Sequence, residues 1–258
     1  MELSIKEKLF IVGGATSGFG GAIVDALLAE GAQVIAVARG EEKLRELESK
    51  SAGQVYPVCA DVTKPESIEK IRLAIGDKQV HGLVVNAGGP PAMSALEARL
   101  EDWDEAYRTV VRWKIDLISN LLPAMIHQGY GRVLFIESAS VKQPIENLAL
   151  SNAMRLAVVG YAKTLSQEVA RKGITLNVLA PGSHATRAIN RVIQKRAEQT
   201  GVSIEEARKQ QVNQIGVGFF GEAADLAALA LWLLSPQSRF ITGQTISVDG
   251  GTIKGIMG

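Results

Sequence analysis

Cysteine occurs once in these 258 residues, at Cys59. That excludes an internal disulfide and a cysteine-ligated metal cluster. It fits a reduced, cytoplasmic setting in which Cys59 serves as a small buried apolar residue. Histidine occurs three times, at His81, His127 and His184, too scattered for a zinc set, so no metal is expected. An excess of either charge is also missing: 28 Lys and Arg face 27 Asp and Glu, for a net charge of +1. This balance speaks against nucleic acid or a membrane surface as partner. No apolar run approaches the roughly 18 residues of a bilayer span, and the opening Met-Glu-Leu-Ser-Ile-Lys-Glu-Lys lacks the architecture of a signal peptide. Repeats, low-complexity tracts and linker-like shifts in composition are lacking too, so one domain over 1–258 is expected.

Glycine, by contrast, is abundant at 26 residues, and 47% of the chain is apolar. Both features meet in the stretch from Phe10 to Gly21, Phe-Ile-Val-Gly-Gly-Ala-Thr-Ser-Gly-Phe-Gly-Gly. A short apolar run ends in a glycine cluster, and a helical pattern begins at once with Ala22, Ile23, Ala26 and Leu27. Strand, glycine turn and helix place a phosphate on the amides of a helix N-terminus. Gly14, Gly18 and Gly20 read Gly-X-X-X-Gly-X-Gly, with Thr16, Ser17 and Phe19 between them. One glycine bends the chain, one admits a pyrophosphate to the backbone, and one lets the helix pack on the strand.

Downstream, strands are expected at 33–38, 54–59, 82–85, 132–137, 175–179 and 245–248, after a first strand at 9–12. Helices are expected at 20–30, 41–49, 65–75, 101–128, 147–171, 186–214 and 223–234. Strands alternating with helices at this spacing give an α/β fold with a doubly wound parallel sheet and right-handed crossovers. Ligands of such sheets bind beyond the carboxyl ends of the strands.

The chemistry-bearing residues all follow strands. Arg39 follows the second strand, where an acidic residue would suit a free ribose 2′-hydroxyl and an arginine suits a 2′-phosphate. NADP(H) is therefore preferred, with NAD(H) as the alternative, and a solvated loop arginine is the plainer reading. Asp61-Val62, after the third strand, suits an adenine amino group or, more simply, a helix cap ahead of Pro65. Asn86-Ala87-Gly88-Gly89, after the fourth, lets a cofactor lie against backbone or forms an ordinary turn. Ser138 follows the fifth strand, and Pro181-Gly182-Ser183-His184-Ala185-Thr186 follows the sixth.

With these residues in place, the chain from Lys8 to Gly251 resembles the short-chain dehydrogenase/reductase superfamily, whose single domain is Rossmann-like. The resemblance is carried by Gly14, Gly18 and Gly20, by Asp61-Val62, Asn86-Ala87-Gly88 and Pro181-Gly182 with Thr186. The closing Ile241-Thr242-Gly243-Gln244 and Val248-Asp249-Gly250-Gly251 carry it as well. The chain looks like a divergent member similar to 3-oxoacyl-acyl-carrier-protein reductases. That implies NAD(P)(H) binding, hydride transfer between an alcohol and a carbonyl, a small-molecule or acyl-carrier substrate, and a homotetramer or dimer.

The resemblance also implies a catalytic asparagine, serine, tyrosine and lysine. Ser138 matches the serine, but Ser151 and Arg155 stand in the tyrosine and lysine places and Val110 in that of the asparagine. Residues 151 and 155 are one helical turn apart and face the same way. Arg155 can donate to ribose hydroxyls but gives up no proton. The Ser151 hydroxyl is far less acidic than a phenol and ends roughly 4 Å nearer the backbone. Loss of a positioned general acid costs about 10²–10⁴ in rate. The catalytic set is then Ser138, Ser151 and Arg155, with water beside Ser151 relaying a proton. A nucleotide-binding sensor or assembly partner without turnover is the competing reading.

Remaining candidates rank lower. Tyr161 and Lys163 lie about 15 Å along the helix from Ser151 and are read as packing residues. His184 sits where a proton donor at neutral pH would be useful, yet a solvent-facing loop residue is the expectation. His81 and His127 read as surface or satisfied residues, and Lys142 and Glu146 as the rim of the substrate mouth. The segment 183–220 is taken as a substrate lid, with Arg187, Arg191, Lys195, Arg196, Arg208 and Lys209 giving it a basic excess that suits an anionic substrate or, more simply, a solvated face.

Overall fold

The structure, a computed structural model, describes residues 2–51 and 53–256; the side chains of Arg187 and Ala188 also lie outside the described set. The apolar runs form strands β1 (Leu9–Gly13), β2 (Gln33–Ala38), β3 (Val55–Cys59), β4 (Val80–Val85), β5 (Gly131–Ile136), β6 (Ile174–Pro181) and β7 (Thr245–Val248). They pair in parallel in the order β3-β2-β1-β4-β5-β6-β7. Winding reverses between β1 and β4, and the crevice beyond their carboxyl ends is where such a sheet receives a ligand. Strands β1, β5 and β6 are buried throughout, which is why they read as largely apolar rather than alternating, with Arg132, Thr175 and Asn177 as buried polar exceptions.

Helices cover both faces: α1 (Gly18–Ala29), α2 (Glu41–Ser49) and α9 (Ala223–Leu234) on one, and α3 (Glu66–Ile75), α5 (Trp113–Gln128) and α6 (Ala149–Val169) on the other. Alternate residues of β1 serve the two layers. Phe10 and Val12 join Ile23, Leu27, Leu44 and Leu231, while Leu9 and Ile11 join Ile71, Leu117 and Val158. Trp113, Leu117 and Leu121 are core residues, as their helical spacing suggests.

Three expected elements are subdivided. The long helix expected at 101–128 is α4 (Leu100–Ala106), a π-helical turn over Tyr107–Arg112, and α5. Val110 sits in the wide turn, buried. Such turns insert a residue into a helix without an obvious sequence mark. The helix expected at 147–171 is α6 plus one 3₁₀ turn. The polar segment expected as one helix at 186–214 is α7 (Arg187–Thr200) and α8 (Ile204–Val212). Gly201 ends α7, and the Ser203 hydroxyl accepts from the Glu206 amide at 3.1 Å to start α8. This Ser-X-X-Glu signal was present in the sequence. Ile193, Ala197 and Ala207 form a small core between these two helices.

Candidate active site

The turn joining β1 to α1 has the features a diphosphate requires. Gly14 and Gly18 take φ of 64° and 57°, a left-handed conformation that side chains disfavour. A Cβ on Gly20 would lie 2.4 Å from the Gly14 carbonyl oxygen and 2.7 Å from that of Gly13, so α1 rests directly on the turn. Ser17 starts α1 without a side-chain cap, and no acidic residue occupies the first turn. The positive end of the helix is thus left to an outside anion. Across the crevice, the Asn86 amide donates to the Gly13 carbonyl at 3.0 Å, tying the end of β4 to the same turn. Thr16 and Phe19 are half-buried beside it.

On the β2–β3 side, Arg39 is exposed. The Asp61 carboxylate accepts from the Thr63 amide at 3.0 Å and the Thr63 hydroxyl at 2.8 Å. Burial pushes the Asp61 carboxyl up, but these two bonds, with Arg39 and Lys64 nearby, hold it below its ordinary range. Asp61 closes an Asx turn and does not cap α3, which begins after Pro65. Val62 packs against the core. Cys59 is exposed, contrary to the expectation of burial, because it ends the edge strand on its outward side.

Beyond β5, Ser138 is half-buried, and its hydroxyl accepts from the Ser140 amide at 3.1 Å. Ser151 and Arg155 are both buried on α6, and the Arg155 Nε donates to the Ser151 Oγ at 3.1 Å. The Arg155 Nη1 donates to Glu137 twice, to Oε2 at 2.9 Å and to the backbone carbonyl at 3.2 Å. The other carboxylate oxygen of Glu137, Oε1, accepts from the Lys114 Nζ. Lys114 and Glu137 are 3% and 4% exposed. Burial lowers the Lys114 pKa and the Arg155 charge adds to it; against the pull of Glu137 the ammonium falls from 10.5 to about 8. This two-cation, one-carboxylate cluster was not anticipated. Its sequence signal was a lysine inside the helical stripe Val110, Val111, Leu117, Ile118, Leu121, and a glutamate closing the apolar run of β5. Gly89 belongs to the cluster by absence, since a Cβ there would lie 2.9 Å from the Arg155 Nη2.

After β6, Gly182 packs so close to Asp249 that a Cβ would lie 2.6 Å from the aspartate Cβ. His184 is buried, not solvent-facing. Its ring meets Phe19 edge-on at 5.0 Å, with Nδ1 3.2 Å from the Gly182 carbonyl oxygen. A backbone bridge from His184 to Gly221 draws it inward. Thr186 is half-buried at the start of α7. Tyr161 and Lys163 stay away from Ser151: the Lys163 Nζ donates to the Gly243 carbonyl at 2.9 Å. His81 is satisfied, its Nδ1 accepting from the Leu9 amide at 3.2 Å, and His127 is exposed. Among the described residues, no three His, Cys, Asp or Glu side chains gather as a metal site. No helix among them is long and apolar enough to cross a membrane.

Residues 14–252 match the family described as enoyl-(acyl carrier protein) reductase. The chain belongs to the short-chain dehydrogenase/reductase family. It is 29% identical to the 3-oxoacyl-[acyl-carrier-protein] reductase FabG of Vibrio cholerae, over 96% of this chain and 98% of that protein. Among solved structures, it is similar to the L-sorbose reductase of Gluconobacter frateurii complexed with NADPH and L-sorbose. There the TM-score is 0.91 at 26% identity, covering 99% of this chain and all of that one. It is also similar to a single-site variant of the actinorhodin polyketide ketoreductase with NADPH, with a TM-score of 0.89 at 30% identity over 95% and 97% of the two chains. Family membership accounts for the glycine turn and the closing Val248-Asp249-Gly250-Gly251.

Proposed function

We propose that the protein is an NADP(H)-dependent oxidoreductase that interconverts a carbonyl and a secondary alcohol, with a 3-oxoacyl-type compound as candidate substrate. The observation that carries this reading is the uncapped, glycine-built start of α1 facing Asn86. Gly14, Thr16, Ser17, Gly18, Phe19 and Gly20 would hold the diphosphate, with Arg39 on the 2′-phosphate and Asp61-Val62 at the adenine. Asn86-Ala87-Gly88, Arg155, Pro181-Gly182 and Thr186 would hold the nicotinamide half. Bound there, the dinucleotide supplies or accepts the hydride, which is its own chemistry.

The chain's part is orientation and charge. Ser138, just beyond β5, and Ser151, on α6, would present their hydroxyls to the substrate oxygen. Arg155 donates to the Ser151 Oγ, so the hydroxyl hydrogen of Ser151 is free to point at the substrate oxygen. The guanidinium then stabilises the serine oxygen from which that proton leaves, and water restores it. Segment 183–220 is proposed as the substrate lid, a reading supported by Lys195 reaching the Ala92 carbonyl at 3.2 Å and Gln211 the Ser183 hydroxyl at 3.1 Å. A homo-oligomer, tetramer or dimer, belongs to the same proposal. Calorimetric titration with NADPH and NADH, followed by NADPH oxidation over a panel of ketones and 3-oxoacyl thioesters, tests it. Failure to bind either nucleotide overturns it.

The engaged state of Ser151 favours one competing reading, a nucleotide sensor without turnover. Placing tyrosine and lysine at 151 and 155 (S151Y/R155K) separates the two. A sensor gains carbonyl reduction it did not have, whereas an enzyme shows turnover before any change.

A further inference from the structure

Three charged side chains from three separate elements meet below the cleft: Lys114 from α5, Glu137 from the end of β5 and Arg155 from α6. Their side chains are 3%, 0% and 11% exposed respectively. Two cations share one carboxylate, which leaves one positive charge over. The leftover charge has an outlet only through the most exposed member, Arg155. Three of that guanidinium's N–H directions are already assigned: Nε to Ser151, and Nη1 to the carboxylate and the backbone carbonyl of Glu137. A guanidinium has five N–H groups, so the Nη2 pair remains, and it lies alongside Gly89 in the turn after β4.

We infer that Glu137 is a positioning residue: clamped by Lys114 on one carboxylate oxygen, it holds the Arg155 guanidinium so that its Nη2 edge faces the cleft at Gly89 and receives the hydroxyls of the nicotinamide-side ribose. The inference rests on the proposed function and adds two residues to it, neither of which touches the nucleotide. Lys114 engages the second carboxylate oxygen of Glu137, which would otherwise be free to rotate. Along its own helix Arg112 and Asp116 flank it in sequence, and the Asp116 carboxylate is engaged by the Asn120 amide at 3.1 Å. Burial is the largest influence on the Lys114 ammonium, and Glu137 and Arg155 are the charged groups that act on it beside that. Arginine carries out a task here that a freely moving cation performs poorly: its planar fork is fixed on one side so that it can recognise a diol on the other.

Calorimetric titration with NADPH and with 2′,5′-ADP, which carries the adenosine half alone, tests the inference in wild type, E137Q and K114M/E137Q. The double variant removes the pair together, so no second cation is left stranded if E137Q alone fails to fold. NADPH affinity is expected to fall about tenfold in both, as for loss of one charge-assisted hydrogen bond, with 2′,5′-ADP affinity unchanged. In an R155M background, K114M/E137Q should alter NADPH affinity no further, which a purely structural role for the pair would not produce. Unchanged NADPH affinity in the double variant overturns the inference, as does equal loss for both ligands. Wild-type protein that binds neither ligand overturns the cofactor reading itself.

Discussion

Substituting two members of the buried cluster one at a time should move stability in opposite directions. In E137Q, Lys114 and Arg155 lose the counter-charge they share while both stay in the interior. Removing one partner of a buried pair costs about 3–5 kcal/mol. In K114M the Arg155–Glu137 pair survives at 2.9 Å, and only the desolvated ammonium goes. Its pKa falls from 10.5 to about 8. At about 1.4 kcal/mol per unit, holding it charged at pH 7 costs about 3 kcal/mol. Methionine fills a similar volume without charge. K114M is therefore expected to be neutral or to stabilise by up to about 3 kcal/mol. The assay is the urea midpoint at pH 7, read together with the slope so that a change in the unfolded state is not mistaken for one in stability. A K114M protein that loses more than about 1 kcal/mol, or an E137Q protein that loses nothing, refutes the charge assignment.

The same lysine gives stability a pH dependence. Below about pH 8 it is protonated both folded and unfolded, and its desolvation penalty is present in full. Between about 8 and 10.5 the unfolded chain keeps a proton that the folded chain has lost, so stability should rise with pH across that window. The urea midpoint of wild type minus that of K114M shows this rise; a flat difference contradicts it. Arg39→Ala should lower NADPH affinity at least about tenfold and leave NADH unaffected, as read by calorimetry. Gly20→Ala brings a methyl within 2.4 Å of a backbone oxygen, so it should destabilise by about 1–3 kcal/mol and abolish nucleotide binding, both measurable on one sample.

The fold was legible because its signals are redundant. The runs at β1, β5 and β6 are largely apolar, as strands covered on both faces are, with Arg132, Thr175 and Asn177 as the buried polar exceptions. The α1 turn was equally plain from Gly14, Gly18 and Gly20. What stayed hidden depended on contacts between distant elements. Glu137 and Lys114 lie 23 positions apart, and neither had a sequence neighbour that announced the other. Reading Arg155 on its own suggested a donor to the ribose hydroxyls and gave no sign that Glu137 holds it by one edge. His184 was assigned to solvent by its loop position, yet the bridge to Gly221 and the Phe19 ring enclose it. The π-helical turn at Tyr107–Arg112 has no composition of its own and was absorbed into one long helix.

The bridge at His184 and Gly221 has a further consequence. The Ala185 amide bonds the Gly221 carbonyl at 2.7 Å and the Gly221 amide bonds the Ser183 carbonyl at 3.1 Å. The chain between those residues leaves the sheet and returns to it there, with further ties where Val217 donates to the Gly250 carbonyl at 2.9 Å and Lys195 to the Ala92 carbonyl at 3.2 Å. Loop-closure entropy grows slowly, by about 0.6 kcal/mol for each doubling of length. The intervening helices can therefore be lengthened, trimmed or exchanged for those of a relative while the sheet beneath keeps its register. On the proposed lid, a change of substrate preference becomes a matter of rebuilding these helices over an unaltered sheet.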